Sequence, residues 1–214
     1  MLVHLKEEEI IEGMQSRESE EEDEGEDIEY DEHIWLSLKN AEILVGKIAE
    51  SIESLDSNNA DIYKQNAASY IDKLNALDSK YAEAVENANT KTLLFADRFP
   101  FRYLVDDYGL DYYAAFGGCS AETEASFETV TFLAKKIDEL AIKTVLTIDG
   151  SDSKIAETIV SNTASKDQQI LTLDSIQSVT KNDIKSGMTY LSIMESNLAI
   201  LKEALKVEKK RQSR

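Results

Sequence analysis

Residues 58–89 read NNADIYKQNAASYIDKLNALDSKYAEAVENAN. Apolar side chains recur at Ile62, Tyr63, Ala67, Tyr70, Ile71, Leu74, Leu77, Tyr81, Ala84, Val85 and Ala88, mostly in steps of three or four, which puts them on one face of an α-helix. No Pro or Gly interrupts the run. At about 1.5 Å per residue it spans ~50 Å, more than the width of a small domain. A helix of that length either packs along a whole domain or ties two bodies together. The chain differs in kind on its two sides, so the expectation is a connecting beam.

Downstream of it, strand and helix patterns alternate. Thr92 to Phe95 reads as a strand, and Phe99 to Tyr108 as a helix closed by Gly109. Asp111 to Phe116 is a second strand, Gly117 to Ser120 a loop, and Glu122 to Leu140 a helix. Thr144 to Ile148 is a third strand, Ser151 to Asn162 a helix, and Gln169 to Leu173 a fourth strand. Ser178 to about Lys209 holds a final long helix. The fold class is therefore α/β, a four-stranded parallel sheet flanked by helices. Ligands of such sheets lie outside the carboxyl ends of the strands. Those ends fall at Asp97-Arg98, Gly117 to Ser120, Asp149-Gly150 and Asp174-Ser175.

Upstream, Ser37 is a good N-cap for a helix over Leu38 to Leu55, with Ile43, Leu44, Ile48 and Ile52 as its buried face. Residues 1–29 are dominated by Glu and Asp, and self-repulsion predicts a disordered acidic segment, with a short helix possible over Val3 to Ile11. The segment is either a solvated linker or a weak collector of cations. Three units follow: residues 1–29, the acidic segment; 30–90, a motif loop, short helix and long connecting helix; and 91–214, an α/β lobe.

A net charge of −19 argues against nucleic acid, whose binding surfaces need Lys and Arg, and against an anionic membrane surface. Metal cations and basic partners stay open. No run approaches the ~20 apolar residues of a membrane span. The first residues carry neither a basic n-region nor an apolar h-region, so no export signal is expected in this chain. The single cysteine, Cys119, excludes an internal disulfide.

His33, flanked by Asp31, Glu32 and Trp35, is either a metal ligand or a hydrogen-bonded histidine. Asp174 directly follows a strand, where a carboxylate points into the crevice or caps a turn. Asp97 and Cys119 are further possible ligands, although Cys119 in its Gly-rich loop reads more simply as an inert thiol. No Ser-His-Asp arrangement or phosphate loop is present, and two histidines are too few for most acid–base schemes, so an enzyme is not expected.

The order of motifs resembles a known family. Asp31-Glu32-His33-Ile34-Trp35-Leu36-Ser37-Leu38-Lys39-Asn40-Ala41 resembles the Asp-Pro-His-hydrophobic-Trp-Leu-Ser-Pro-x-Asn-Ala signature of the zinc/manganese substrate-binding proteins of ABC transporters. Asn59-Ala60, Tyr63, Asn66, Tyr70, Leu74 and Leu77-Asp78 resemble their lobe-connecting helix, and Phe101 to Leu104 with Tyr108-Gly109-Leu110 the helix after the first C-lobe strand. Ser120 to Ser126, Leu173-Asp174, and Tyr190, Met194 and Asn197-Leu198 are similar to their later motifs. The resemblance covers residues 30 to 206 and implies the C-terminal lobe, plus connecting helix, of an extracytoplasmic receptor. Such a receptor takes zinc or manganese as its transported ligand and hands it to an ABC permease in the membrane. By resemblance His33 and Asp174 are metal ligands, while Arg98 stands at a third ligand position, where a guanidinium cannot ligate. Glu32, Leu38 and Ala125 stand where proline is usual. The expected protein is a truncated or divergent receptor component; the alternative is a non-catalytic α/β interaction module that has lost metal binding.

Overall fold

The alternation after residue 91 builds a single sheet in the computed structural model, which describes residues 5–15, 30–118 and 124–206. Two helices come first, α1 (Leu38–Leu55) and α2 (Ala60–Glu86). Then follow β1 (Thr92–Phe99), α3 (Arg102–Tyr108), β2 (Asp111–Gly117), α4 (Phe127–Glu139), β3 (Thr144–Ile148), α5 (Lys154–Ser161), β4 (Gln169–Leu173), α6 (Lys181–Lys185) and α7 (Tyr190–Ala204). The strands are parallel, in the order β2-β1-β3-β4. The chain enters at β1, steps to β2 at one edge and crosses back to β3, so the strand order reverses between β1 and β3. That reversal opens a crevice at the carboxyl ends.

Both faces of the sheet are covered, and the strands distribute their side chains with period two. Leu93, Phe95 and Leu146 face a core shared with Leu74, Leu77, Tyr81, Leu104, Met194 and Leu201 from α2, α3 and α7. Leu94, Ala96 and Val145 face the opposite core, built with Leu133, Ile137 and Ile159 from α4 and α5.

Helix α2 is the expected long helix, 27 residues rather than the whole run 58–89, and it is buried toward one end only. Its buried residues are Leu74, Leu77, Tyr81, Ala84 and Val85, all in the C-terminal half. The Tyr81 hydroxyl donates to the Met194 carbonyl at 2.7 Å, and its ring stacks on Tyr108 at 5.3 Å. Helix α2 also packs on α1, and Asp56 closes their connection by accepting from Asn59 and Tyr63 at 2.8 and 2.7 Å. Toward that end Ile48 (58% exposed), Ile52 (39%), Leu55 (88%) and Ile62 (55%) stand open to solvent. Ile48 and Ile52 are therefore not the buried face expected of α1.

Three further expectations are corrected. Strand β1 runs on to Phe99 through an irregularity between Phe95 and Arg98, so Asp97 and Arg98 lie inside it rather than beyond its end. The Asp97 carboxylate accepts the Arg98 N–H at 2.9 Å, Phe99 and Phe101 pack on Phe95, and Phe99 stacks on Tyr112 of β2, so α3 begins only at Arg102. The final helix is two helices. Capping boxes start α6 at Thr180 and α7 at Thr189, and Gly187 between them takes φ +89°. Finally, residues 5–15 of the acidic segment are neither helical nor detached. Gln15 donates its N–H to the Ala115 carbonyl at 2.9 Å and extends the edge beside β2, while Lys6 pairs with Asp106 at 2.7 Å and Glu9 with Arg102 at 3.0 Å. Residues 16–29, expected to be disordered, lie outside the described residues.

Candidate functional site

Ser37 fixes the entry to α1. Its Oγ accepts the Asn40 N–H at 3.0 Å and donates to Asp107 of α3 at 2.6 Å. The chain ahead of it, Ile34–Leu36, is wound into a 3-10 turn with His33 at its start. That turn folds His33 back toward Asp31. One oxygen of Asp31, Oδ1, accepts both the His33 backbone N–H at 2.8 Å and the ring Nδ1 at 3.0 Å. A carboxylate only accepts, so Nδ1 carries the hydrogen and the lone pair of the neutral ring sits on Nε2. Asp31 is itself held: its N–H donates to the Lys6 carbonyl at 2.8 Å, and its carbonyl accepts from the Tyr103 hydroxyl at 2.7 Å. Both residues are nearly sealed, Asp31 4% and His33 2% exposed. A carboxylate behind one imidazole nitrogen is the arrangement that orients a histidine and raises its basicity toward a metal at the other nitrogen.

The His33 ring lies against the carboxyl end of the sheet. A Cβ at Gly118 would stand 3.0 Å from the Phe99 carbonyl oxygen and 3.1 Å from His33 Cε1, so glycine is what lets the ring approach. Beside it, the Trp35 ring lies at 5.3 Å. The Trp35 indole N–H donates to the Ser175 carbonyl at 3.1 Å, and the Tyr190 hydroxyl donates to the Trp35 carbonyl at 2.7 Å. The first bond ties the His33 segment to the loop after β4, which carries Asp174, and the second ties it to the start of α7.

Asp174 is clamped through its backbone: its N–H donates to Asn197 Oδ1 at 2.9 Å, and its carbonyl accepts from Asn197 Nδ2 at 2.8 Å. Its Oδ1 accepts the Ile176 N–H at 2.7 Å. Burial, with the charges of Asp149 and Asp183 adding, holds the Asp174 carboxyl above the usual range, while the Ile176 N–H partly offsets this. Asp149, at the end of β3, is held the other way. Burial disfavours its charge, but donors from Ser175 and Ser178 outweigh that and keep it below the usual range.

Among the described residues, the group that a metal could join is Asp31, Glu32 and His33, whose nearest ligand atoms lie within 4.8 Å of one another. Asp174 belongs to the adjoining loop rather than to that group. Asp97 is buried in β1, its oxygens turned to the Arg98 N–H at 2.9 Å and the Ile148 N–H at 3.5 Å, with the Arg98 Nε 3.9 Å away. Cys119 lies outside the described residues. The contribution that sequence reasoning left unassigned is that of Asp31 as the partner of the ring. The Asp-x-His spacing was a usable signal, because a tight turn brings residues i and i+2 together.

The profile of the family described as ZnuA, zinc-uptake complex component A, periplasmic, matches residues 3–204. The zinc-binding lipoprotein AdcA of Streptococcus pneumoniae is 34% identical over 183 residues, covering 85% of this chain and 35% of that protein. The crystal structure of the metal-dependent lipoprotein YcdH from Bacillus subtilis superposes with a TM-score of 0.71 at 29% identity, covering 82% of this chain and 64% of the other. The Zn(II)-bound ZnuA-like domain of Streptococcus pneumoniae AdcA does so with 0.67 at 31%, again covering 82% and 64%. The chain thus spans about a third of the length of its AdcA relative.

Proposed function

We propose, from the premise that the chain belongs to the ZnuA family of periplasmic components of zinc-uptake complexes, that it binds a transition-metal cation at the rim shared by the His33 turn and the Asp174 loop. In this reading the protein is a non-catalytic receptor component that works outside the cytoplasm and passes its ion to an ABC permease. No helix among the described residues is long and apolar enough to cross a membrane. The working parts are residues 30–90, which bring the histidine, and 91–214, which bring the late carboxylate.

The observation that carries the reading is the Asp31–His33 pair. A buried carboxylate fixes the tautomer of a buried imidazole at the carboxyl end of a parallel sheet, and so directs its basic nitrogen for ligation. Imidazole with carboxylates suits zinc and manganese alike; the names of the relatives favour zinc. A zinc sphere commonly takes about four ligands. His33 and Asp174, with Glu32 beside His33, supply part of it, and water or a further protein group completes it.

Isothermal titration with Zn²⁺ and Mn²⁺ tests this. The expected result is a saturable zinc isotherm for the wild-type chain, weakened at least about tenfold by His33→Ala. Indistinguishable traces for the two proteins would remove His33 from the site, and flat traces for both would favour a module without metal.

A further inference from the structure

We infer that Asp149 is a positioning residue: its carboxylate, rooted at the end of β3, holds residues 174–178 in the conformation that presents Asp174 at the rim beside the His33 turn. The inference rests on the zinc-receptor reading and concerns a residue outside the ligand set proposed there.

The geometry is a saturated acceptor. Asp149 Oδ1 accepts the Ser175 N–H and the Ser175 hydroxyl, each at 2.6 Å. Asp149 Oδ2 accepts the Ser178 N–H at 3.0 Å and the Ser178 hydroxyl. A carboxylate has about four acceptor sites, and here all four go to one loop. Between the two serines Ile176 takes φ +64°, a left-handed conformation that a β-branched residue avoids unless its surroundings impose it. Asp149 supplies that imposition from one side, and the Asp174 Oδ1 bond to the Ile176 N–H supplies it from the other. The link continues, because the Ser175 carbonyl accepts the Trp35 indole N–H at 3.1 Å. One side chain therefore sets the register between the loop of Asp174 and the turn of His33. An Asn at this position would turn an NH₂ group toward donors and release one end of the loop.

The experiment is zinc affinity by chelator competition on the full chain, for wild type, Asp149→Asn, Ser178→Ala, Asp174→Asn and the two combinations with Asp174→Asn, each with a thermal melt. D149N is expected to weaken zinc at least about tenfold where Asp174 is present, and several-fold less where Asp174 is already Asn. S178A changes no charge and sits on the exposed side of the loop. It should weaken zinc in the same direction, by a smaller factor, and lose that effect in the D174N background. Equal losses in both backgrounds, or an unchanged affinity in S178A, overturn the inference and leave the zinc reading standing. Should D149N fail to fold, the S178A cycle decides alone. If wild-type chain binds no zinc, or D174N binds it as tightly as wild type, the functional reading itself fails.

Discussion

At the scale of single residues, the proposed site rests on carboxylates with opposite duties. Asp31 works from behind the imidazole, so Asp31→Asn should lower zinc affinity about 10–100-fold while leaving His33 in place, measurable by titration calorimetry. Asp149 and Asp174 should carry opposite pH signatures in the metal-free protein. Asp149 is held low, so its ionised form stabilises the fold above the ordinary carboxylate value of about 3.9, and that contribution is lost as pH falls through its folded value. Asp174 is held high, so its contribution is complete below about 3.9 and is lost as pH rises through its folded value. At neutral pH D149N should therefore melt below wild type and D174N above it. On acidification the D174N difference should begin to close at a higher pH than the D149N difference. Melts that move in parallel would contradict this assignment. His33 and Asp174 could be singled out in the sequence because each stands in a recognisable motif, and their role as ligands is the proposal the zinc titrations test. Asp149 was legible only as the end of a strand, because its partners Ser175 and Ser178 belong to another loop, and no local pattern announces a contact across that separation.

At the scale of elements, α2 shows what periodicity reveals and what it omits. Its apolar stripe correctly marks one helix from Ala60 to Glu86, but a stripe does not say which part of its length finds a partner. Leu74 is fully buried and Ile62 is not. Leu74→Ala should cost about 2–5 kcal/mol in urea unfolding, whereas Ile62→Ala should stay within about 0.5 kcal/mol. The break between α6 and α7 was also written in the chain, as Thr180 three residues before Asp183, Thr189 three before Ser192, and Gly187 between. The apolar period of the later helix masks those caps when the whole stretch is read as one. The extension of β1 could not be read that way. It depends on Phe99 stacking on Tyr112 at 3.7 Å across the sheet, which is a tertiary fact.

At the scale of the whole molecule, parallel sheet, helical layers and the long helix were all visible in the alternation of periods, because a strand buried on both faces and an amphipathic helix leave different marks. The seating of residues 5–15 was not, because acidic composition speaks of solvation and not of the cations Lys6 and Arg102 that anchor the segment. If the rim binds zinc, the metal stabilises the entire fold by mass action: at a hundredfold excess over Kd the gain is about 2.7 kcal/mol. A melting temperature that climbs with added zinc in wild type and stays flat in H33A is the expected result.

The bare end of the α1–α2 pair bears on how the protein behaves in a tube. Ile48, Ile52, Leu55 and Ile62 form an oily tip on a body that carries −19 charges. In dilute buffer those charges keep neighbouring copies at a distance. The range of that repulsion shrinks from about 10 Å at 0.1 M to about 3 Å at 1 M salt, while the attraction between tips does not weaken. Brine should therefore make the solution turbid where most acidic proteins stay clear. Leu55→Lys should keep light scattering flat across the same salt series.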